Sequence, residues 1–295
     1  MSIAPASPTH LTAVKYLLDH GPYRYVDLGA EDLPTLVQRG PNAVGEDAGT
    51  VWGFLGLQVE ERPETMPADA PTRAYLRGVA LARGRQPGVD VARLLDAATA
   101  QLRVGRAADV QLLGYGTEWW LTTALLAAGF VEAEAIQFYR LDRLYTRRDQ
   151  LPPPPPGVSF SPGHPDVLDT LATLDAAAFP PLWHFGRRDL VEMLMRCRVQ
   201  LAWWEGQLAG YTAICANNRN EGQLARIAVH PAFQRCGIGR GLLTDAIHHA
   251  AEHYNVLVLN TQTTNERAKT LYRGFGFQPM GAPVAVLARQ QISPA

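Results

Sequence analysis

Apolar and polar positions along this chain fall into strand-like runs and helix-like stripes, and the same succession occurs twice. In the second half, Leu224 to Val229 is an apolar run long enough for one buried strand and closed by the turn pair His230-Pro231. From Gly239 to about His253, Leu242, Leu243, Ala246, Ile247, Ala250 and Ala251 form one face and Asp245, His249 and Glu252 the other, which predicts an amphipathic helix. Asn255 to Asn260 is a second apolar strand. In the first half, Leu11, Val14, Leu17 and Leu18 predict a helix ended by Gly21-Pro22, and residues 27–39 a second one. Strands are expected at 50–60 and 74–81 around a proline-rich loop at 62–71, then a helix at 90–102, a strand at 110–115 and a helix at 119–128 closed by Gly129-Phe130.

Laid over one another, the halves agree. Val79-Ala80 falls opposite Ala228-Val229, Gly88 opposite Gly237, Leu94-Leu95 opposite Leu242-Leu243, and Gly129-Phe130 opposite Gly276-Phe277, at an offset between 146 and 149 residues. A repeat that long means duplicated domains. The expected boundaries are a first domain at 1–146, a linker at 147–157 whose five prolines, Pro152 to Pro156, favour an extended spacer, and a second domain at 158–295. The second domain opens with a strand at 157–160 and a helix at 166–179. An aromatic loop, Phe179 to Phe185, precedes a helix at 188–198, and a hairpin joins 199–204 to 208–216 across Glu205-Gly206-Gln207. The expected class is α/β (α+β), with two domains, each a mixed, mostly antiparallel sheet flanked by helices.

Composition narrows the partners. The chain has 295 residues, a formal charge of −1 and 19% charged residues, which gives no basic excess for a nucleic-acid partner. No run of eighteen apolar residues and no signal-like N-terminus suggests a membrane or export, and Cys197, Cys215 and Cys236 are odd in number and lack metal-ligand spacing. The expectation is a cytoplasmic protein without a metal.

The chemistry gathers at Gln234-Arg235-Cys236-Gly237-Ile238-Gly239-Arg240-Gly241, glycines that connect a strand to a helix start. Backbone N–H groups left unpaired at a helix N-terminus attract negative charge. A dinucleotide fingerprint needs glycine where Leu242 stands, and a phosphate loop of the Walker type needs Lys-Ser/Thr where Arg240-Gly241 stands, so neither fits. What remains, Gln/Arg-x-x-Gly-x-Gly, resembles the coenzyme A pyrophosphate loop of the GNAT N-acetyltransferase superfamily. Downstream, Asn265, Ala268, Tyr272, Gly276 and Phe277 are similar to that family's Asn-x-x-Ala-x-x-x-Tyr-x-x-x-Gly-Phe signature. The resemblance covers roughly the last 140 residues. The duplicated layout is similar to mycothiol synthase, and the signature equally to ribosomal-protein alanine acetyltransferases.

The resemblance implies an N-acetyltransferase that moves an acetyl group from acetyl-CoA to a primary amine, on a small molecule or a peptide N-terminus, by direct attack in a ternary complex. It assigns the coenzyme to Ile227, Ala228, Val229, Gln234, Arg235, Gly237, Ile238, Gly239, Arg240 and Asn265, with the Val229 N–H on the thioester oxygen and Tyr272 as general acid. Tyr272 could equally pack the helix, and Asn265 could equally cap one. The general base is open: Glu221 through a water, His230 or Asn260, or none if the amine arrives neutral. Phe179, Trp183 and His184, with Phe185, are candidates for the acceptor site or for core packing. In the first half Asp90 stands where the second has Gly239, Leu125 about where it has Tyr272 and Glu118 about where it has Asn265, which predicts a copy without cofactor. The competing reading is an acyl-CoA-binding regulatory protein that has lost turnover.

Overall fold

The computed structural model describes residues 2–29, 31–60, 62–66, 70–104, 109–147 and 151–292, so parts of the expected loop at 62–71 and of the linker lie outside the described residues. In chain order the elements are β1 (Ser2–Ala4), α1 (Leu11–His20), β2 (Tyr23–Val26), α2 (Leu33–Arg39), β3 (Asn42–Asp47), β4 (Thr50–Val59), β5 (Thr72–Leu81), α3 (Pro87–Val104), β6 (Asp109–Tyr115), α4 (Trp119–Ala127), β7 (Val131–Asp142) and α5 (Leu144–Arg147). They continue with β8 (Val158–Pro162), α6 (Leu168–Ala178), α7 (Arg187–Arg196), β9 (Arg198–Trp204), β10 (Gln207–Ala216), β11 (Glu221–Val229), α8 (Ile238–His253), β12 (Val256–Gln262), α9 (Glu266–Gly274) and β13 (Gln278–Ile292).

Two compact units form, and they do not follow the expected cut. Residues 1–61, 71–135 and 284–295 make the first, 62–70 and 136–283 the second. The first unit orders its strands β1-β3-β4-β5-β6-β13, antiparallel except for β5 with β6, and β13 enters only through Val286 to Ile292, opposite Tyr115 to Asp109. The second orders them β8-β9-β10-β11-β12-β7, with β11 and β12 parallel and β7 entering through Ile136 to Asp142. Each sheet therefore takes its last strand from the other half of the sequence. Neither β7 nor β13 is foreseen by the pattern, because ragged alternation in VEAEAIQFYRLD and QPMGAPVAVLARQQI hides a strand that pairs along only part of its length.

Both units share one local design. Past a β-bulge, the parallel partner strand is lost. In the second unit Ala213 faces Arg226 while Ile214 faces Leu224, leaving Ala225 as the extra residue; in the first, Gly56 faces Gly78 and Leu57 faces Leu76, leaving Arg77. These positions are 148 residues apart, within the sequence offset. β11 pairs with β12 only from Glu221 to Gln223, and β5 with β6 only from Thr72 to Tyr75, so each pair opens into a wedge.

The proline run does not behave as a free spacer. Pro155 packs on the start of α8, where a Cβ added at Gly241 would meet its Cδ at 2.9 Å, and the Thr244 hydroxyl donates to the Pro152 carbonyl at 3.3 Å. Residues 151–157 thereby belong to the second unit. The cysteine expectation changes too. Cys197, directly before β9, meets Cys215 on β10 with 4.3 Å between Cα atoms, the separation of a non-hydrogen-bonded cross-strand pair, and the two form a disulfide. Counting the three thiols as unpaired gives the compartment no support. Among the described residues no helix is long and apolar enough to cross a membrane.

Candidate functional site

The site grows from the open edge of β11. In a strand, successive residues direct their peptide groups to opposite edges. The His230 N–H donates to the Ala209 carbonyl at 2.9 Å, so the groups of His230 and Ala228 face β10, and those of Ile227 and Val229 face the wedge that β12 has left. Of the three residues expected to offer backbone contacts, Ala228 is thus committed to the sheet. The Val229 N–H points into the wedge and, among the described residues, meets no acceptor, while its carbonyl receives the Gln234 amide at 3.4 Å.

The chain then turns through Pro231–Phe233 and reaches α8 by two left-handed residues, Arg235 (φ 68°) and Gly237 (φ 79°). That geometry aims successive amides to one side. Among the described residues, the N–H groups from Arg235 to Arg240 have no protein acceptor; the first bond of the helix runs from the Gly241 N–H to the Gly237 carbonyl at 3.0 Å. The three glycines have separate reasons. Gly237 meets the positive φ, and Gly241 makes room for Pro155 and Phe160. A Cβ at Gly239 would meet only Val229 and Leu271, at the ordinary distances of 3.5 and 3.7 Å. Nothing in the protein forbids a side chain there, so the space beside it is available to a ligand. Ile238 turns its side chain into the core and contributes only its amide.

Charge at this end is cationic. Arg235, Arg240 and Arg267 are exposed, and among the described residues none has a carboxylate partner. Arg267, on the first turn of α9, donates to the Gln234 side chain and joins the cradle; its place two residues after the Asn265 cap was the available sequence signal. Asn265 caps α9, its side-chain oxygen accepting from the Ala268 N–H at 3.1 Å.

Tyr272 lies on α9 and is buried against Tyr139 and Phe277, with ring centroids 6.1 and 5.9 Å away. Burial, and then the neighbouring Tyr139, hold its phenol well above the usual value, so it is a hydrogen donor at any ordinary pH. Asn260 is exposed on β12, beyond the point where β11 departs. Glu221 is not brought to this site. It stands at the closed end of the wedge, eight residues and about 25 Å of strand from Val229, and its two oxygens accept from Arg140 (3.1 Å) and Asn217 (2.5 Å). The expected role as base is therefore corrected to that of an ion-pair partner. His230 is occupied as well, its Nδ1 accepting from the Ala232 N–H at 3.2 Å.

Opposite the cradle, on the other face of β11, a buried ionic cluster fixes the aromatic loop. Arg226 places its guanidinium 3.6 and 3.7 Å from the ring centroids of Phe179 and Phe185, and donates to the Trp183 carbonyl at 2.6 Å. Asp175 of α6 receives Arg226 Nε (2.9 Å) and Nη2 (2.7 Å), the Tyr211 hydroxyl (2.5 Å) and the Phe185 N–H (3.1 Å). His184, also buried, contacts the Phe179 carbonyl through Nε2 at 2.7 Å. Phe179, Trp183 and His184 thus belong to one packed wall. Sequence reading missed Asp175, although a carboxylate on the same stripe as Leu168, Leu171 and Leu174 is the signature of a buried pair.

The chain is similar to known proteins in part of its sequence and in its fold. Residues 168–277 match the acetyltransferase (GNAT) family model. The N-alpha-acetyltransferase RimI of Mycobacterium tuberculosis is 39% identical over 79 residues, 26% of this chain, and the match spans about half the length of that relative, 49%. Among solved structures, a tandem GNAT protein from the clavulanic acid biosynthesis pathway aligns over 100% of this chain and 99% of its own, with a TM-score of 0.69 at 16% identity. A GCN5-related N-acetyltransferase from Sphaerobacter thermophilus aligns over 98% and 95%, with a TM-score of 0.61 at 17% identity. Residues 168–277 form a GNAT acetyltransferase domain, and the chain as a whole has the fold of tandem GNAT proteins.

Proposed function

We propose that the second unit is an acetyl-CoA-dependent N-acetyltransferase acting on a primary amine by direct attack. The observation that carries this reading is the open edge of β11, where the peptide groups of Ile227 and Val229 lead into a run of unpaired amides flanked by three guanidinium groups that, among the described residues, have no carboxylate partner. An extended chain ending in a diphosphate fits such a surface: the strand edge takes the amide-bearing arm, and the helix start takes the anion. The residues fit the carrier at Gly239 as well, where room is left for backbone approach.

Bound there, acetyl-CoA supplies a thioester carbonyl open to attack by an amine. The amides from Arg235 to Arg240 would hold the diphosphate, with Arg235, Arg240 and Arg267 adding charge-assisted contacts. The Val229 N–H would meet the carbonyl oxygen as negative charge develops on it. Tyr272 presents a hydroxyl to the departing sulfur. A phenol above pKa 10 facing a thiol near 8.5 transfers its proton at a cost of about 2 kcal/mol or more, so Tyr272 acts mainly as a hydrogen-bond donor that steadies the thiolate. Glu221 is held by Arg140 and Asn217, so the acceptor enters neutral, beside Asn260, and the proton that its nitrogen sheds after attack passes through water to the departing thiolate. The packed wall of Phe179, Trp183 and His184 bounds the acceptor.

Release of free thiol from acetyl-CoA across an amine library tests the reading. Amine-dependent release, reduced at least tenfold in Tyr272→Phe, is expected. The competing reading, a carrier-binding regulatory protein, draws on the commitment of Arg226 and Glu221 elsewhere; tight binding with no amine-dependent release favours it.

A further inference from the structure

The first unit has the same bulge and the same wedge, yet another part of its own chain lies inside. β4 covers one edge of β5 from Ala74 to Leu81, so β2, which pairs antiparallel with Gly78 to Leu81, must lie on the other edge, where β6 stops at Tyr75. The Ala82 N–H donates to the Trp52 carbonyl at 2.8 Å. By alternation, Val79 and Leu81 turn their peptide groups into the wedge. At the offset of 148 residues these are the counterparts of Ile227 and Val229. Their partners in register are Tyr25 and Tyr23 of β2, and Tyr25 is buried in the core. A further bond, Asp27 N–H to the Arg77 carbonyl at 2.9 Å, and an ion pair of the same two side chains at 2.9 Å extend the anchorage.

The helix start is filled independently. Asp90, in the first turn of α3 and almost fully buried, accepts from the Gln86 N–H at 2.9 Å and from Arg85 at 2.5 and 3.0 Å, while Arg85 lies 3.8 Å over the Trp52 ring. One carboxylate and one arginine of the protein thus stand where the second unit leaves amides and arginines open. A strand at the arm position and an anion at the phosphate position together imitate the outline of a carrier.

We infer that the first unit is self-liganded: β2 and the Asp90–Arg85 pair occupy the slot that the second unit offers to a thioester carrier, so the chain binds one carrier and the first unit keeps its shape without any. The count of one rests on the proposed function of the second unit; the closed state of the first does not. Calorimetry with coenzyme A tests the count in the full chain, with Gly239→Asp as the variant, since its Cβ meets only ordinary contacts. One equivalent is expected for the wild type and none, with affinity down at least a hundredfold, for the variant. Two equivalents, or one remaining in the variant, overturn the inference. No binding in the wild type sinks the function of the second unit instead, and hydrogen exchange then decides for the first. Amides of β2 and of Gly78 to Leu81 should be protected in the free protein and unchanged by 1 mM coenzyme A, a concentration of the order at which weak sites fill. Exposed β2 amides, or protection that appears only with coenzyme, refute the claim.

Discussion

Replacing Asp175 by Asn measures how firmly the aromatic wall is tied to β11. Asp175 is fully buried and holds four donors, two of them from Arg226, whose side chain is itself only 7% exposed. Asparagine keeps the shape and one oxygen acceptor but leaves the guanidinium without a counter-charge. Removing one member of a buried pair costs about 3–5 kcal/mol. The rings of Phe179 and Phe185 remain over the cation and offset about 0.5–2 kcal/mol of it. A net loss of about 3 kcal/mol follows, which at about 2 kcal/mol per molar urea lowers the midpoint of the second unit by about 1.5 M. Tyr211, whose phenol burial pushes well above its usual value, remains a donor throughout and does not compensate. The assay is urea unfolding followed by tryptophan fluorescence, with Arg226→Met and the double variant to complete a cycle. The double variant should cost at least about 2 kcal/mol less than the two singles summed, because no lone buried charge is left. A loss below 1 kcal/mol for Asp175→Asn, or simple additivity, refutes the reasoning.

Gly241→Val should collide with Pro155 and Phe160 and lower the thermal midpoint by several degrees, consistent with about 1–3 kcal/mol of overpacking, as read by calorimetry. If amines enter neutral, the rate should rise with pH toward the pKa of the amine and show no decline from Tyr272 up to pH 10, because its phenol is held above that range. His249, whose pKa is lowered by burial and then by Arg198, favours folding above its ordinary value of 6.5, and this contribution is lost as pH falls through its lower folded-state pKa. Urea midpoints at pH 5 and 7.5 should therefore differ less in His249→Gln than in the wild type. Residues 158–295 expressed alone lack β7 and should be less stable than 136–283, judged by solubility and hydrogen exchange along β12.

How much of this was legible in the sequence depends on whether a feature is local. The run 224–229, the glycine turn and the helix behind it follow from periodicity and backbone chemistry within thirty residues, and the structure has β11 and α8 there. Asp90 was visible as a charge at a helix start. Long-range partners were not. Tyr23 to Val26 falls between the helix ended by Gly21-Pro22 and the one expected from 27, too short to read as a strand until Gly78 to Leu81 is known to offer an edge, and Glu221 looks like an exposed turn residue until Arg140 arrives from β7. The bulge at Ala225 leaves no pattern of its own, because one unpaired residue in an apolar strand changes neither composition nor period.

The borrowed last strands set an order on biosynthesis. Ser2 to Tyr115 can gather around β4 and β5 while the ribosome is still working, but β6 waits for Val286 to Ile292, which follow only after the whole of the second unit's strands and helices. The first unit is thus begun before the second and finished after it, with an unprotected sheet border in between.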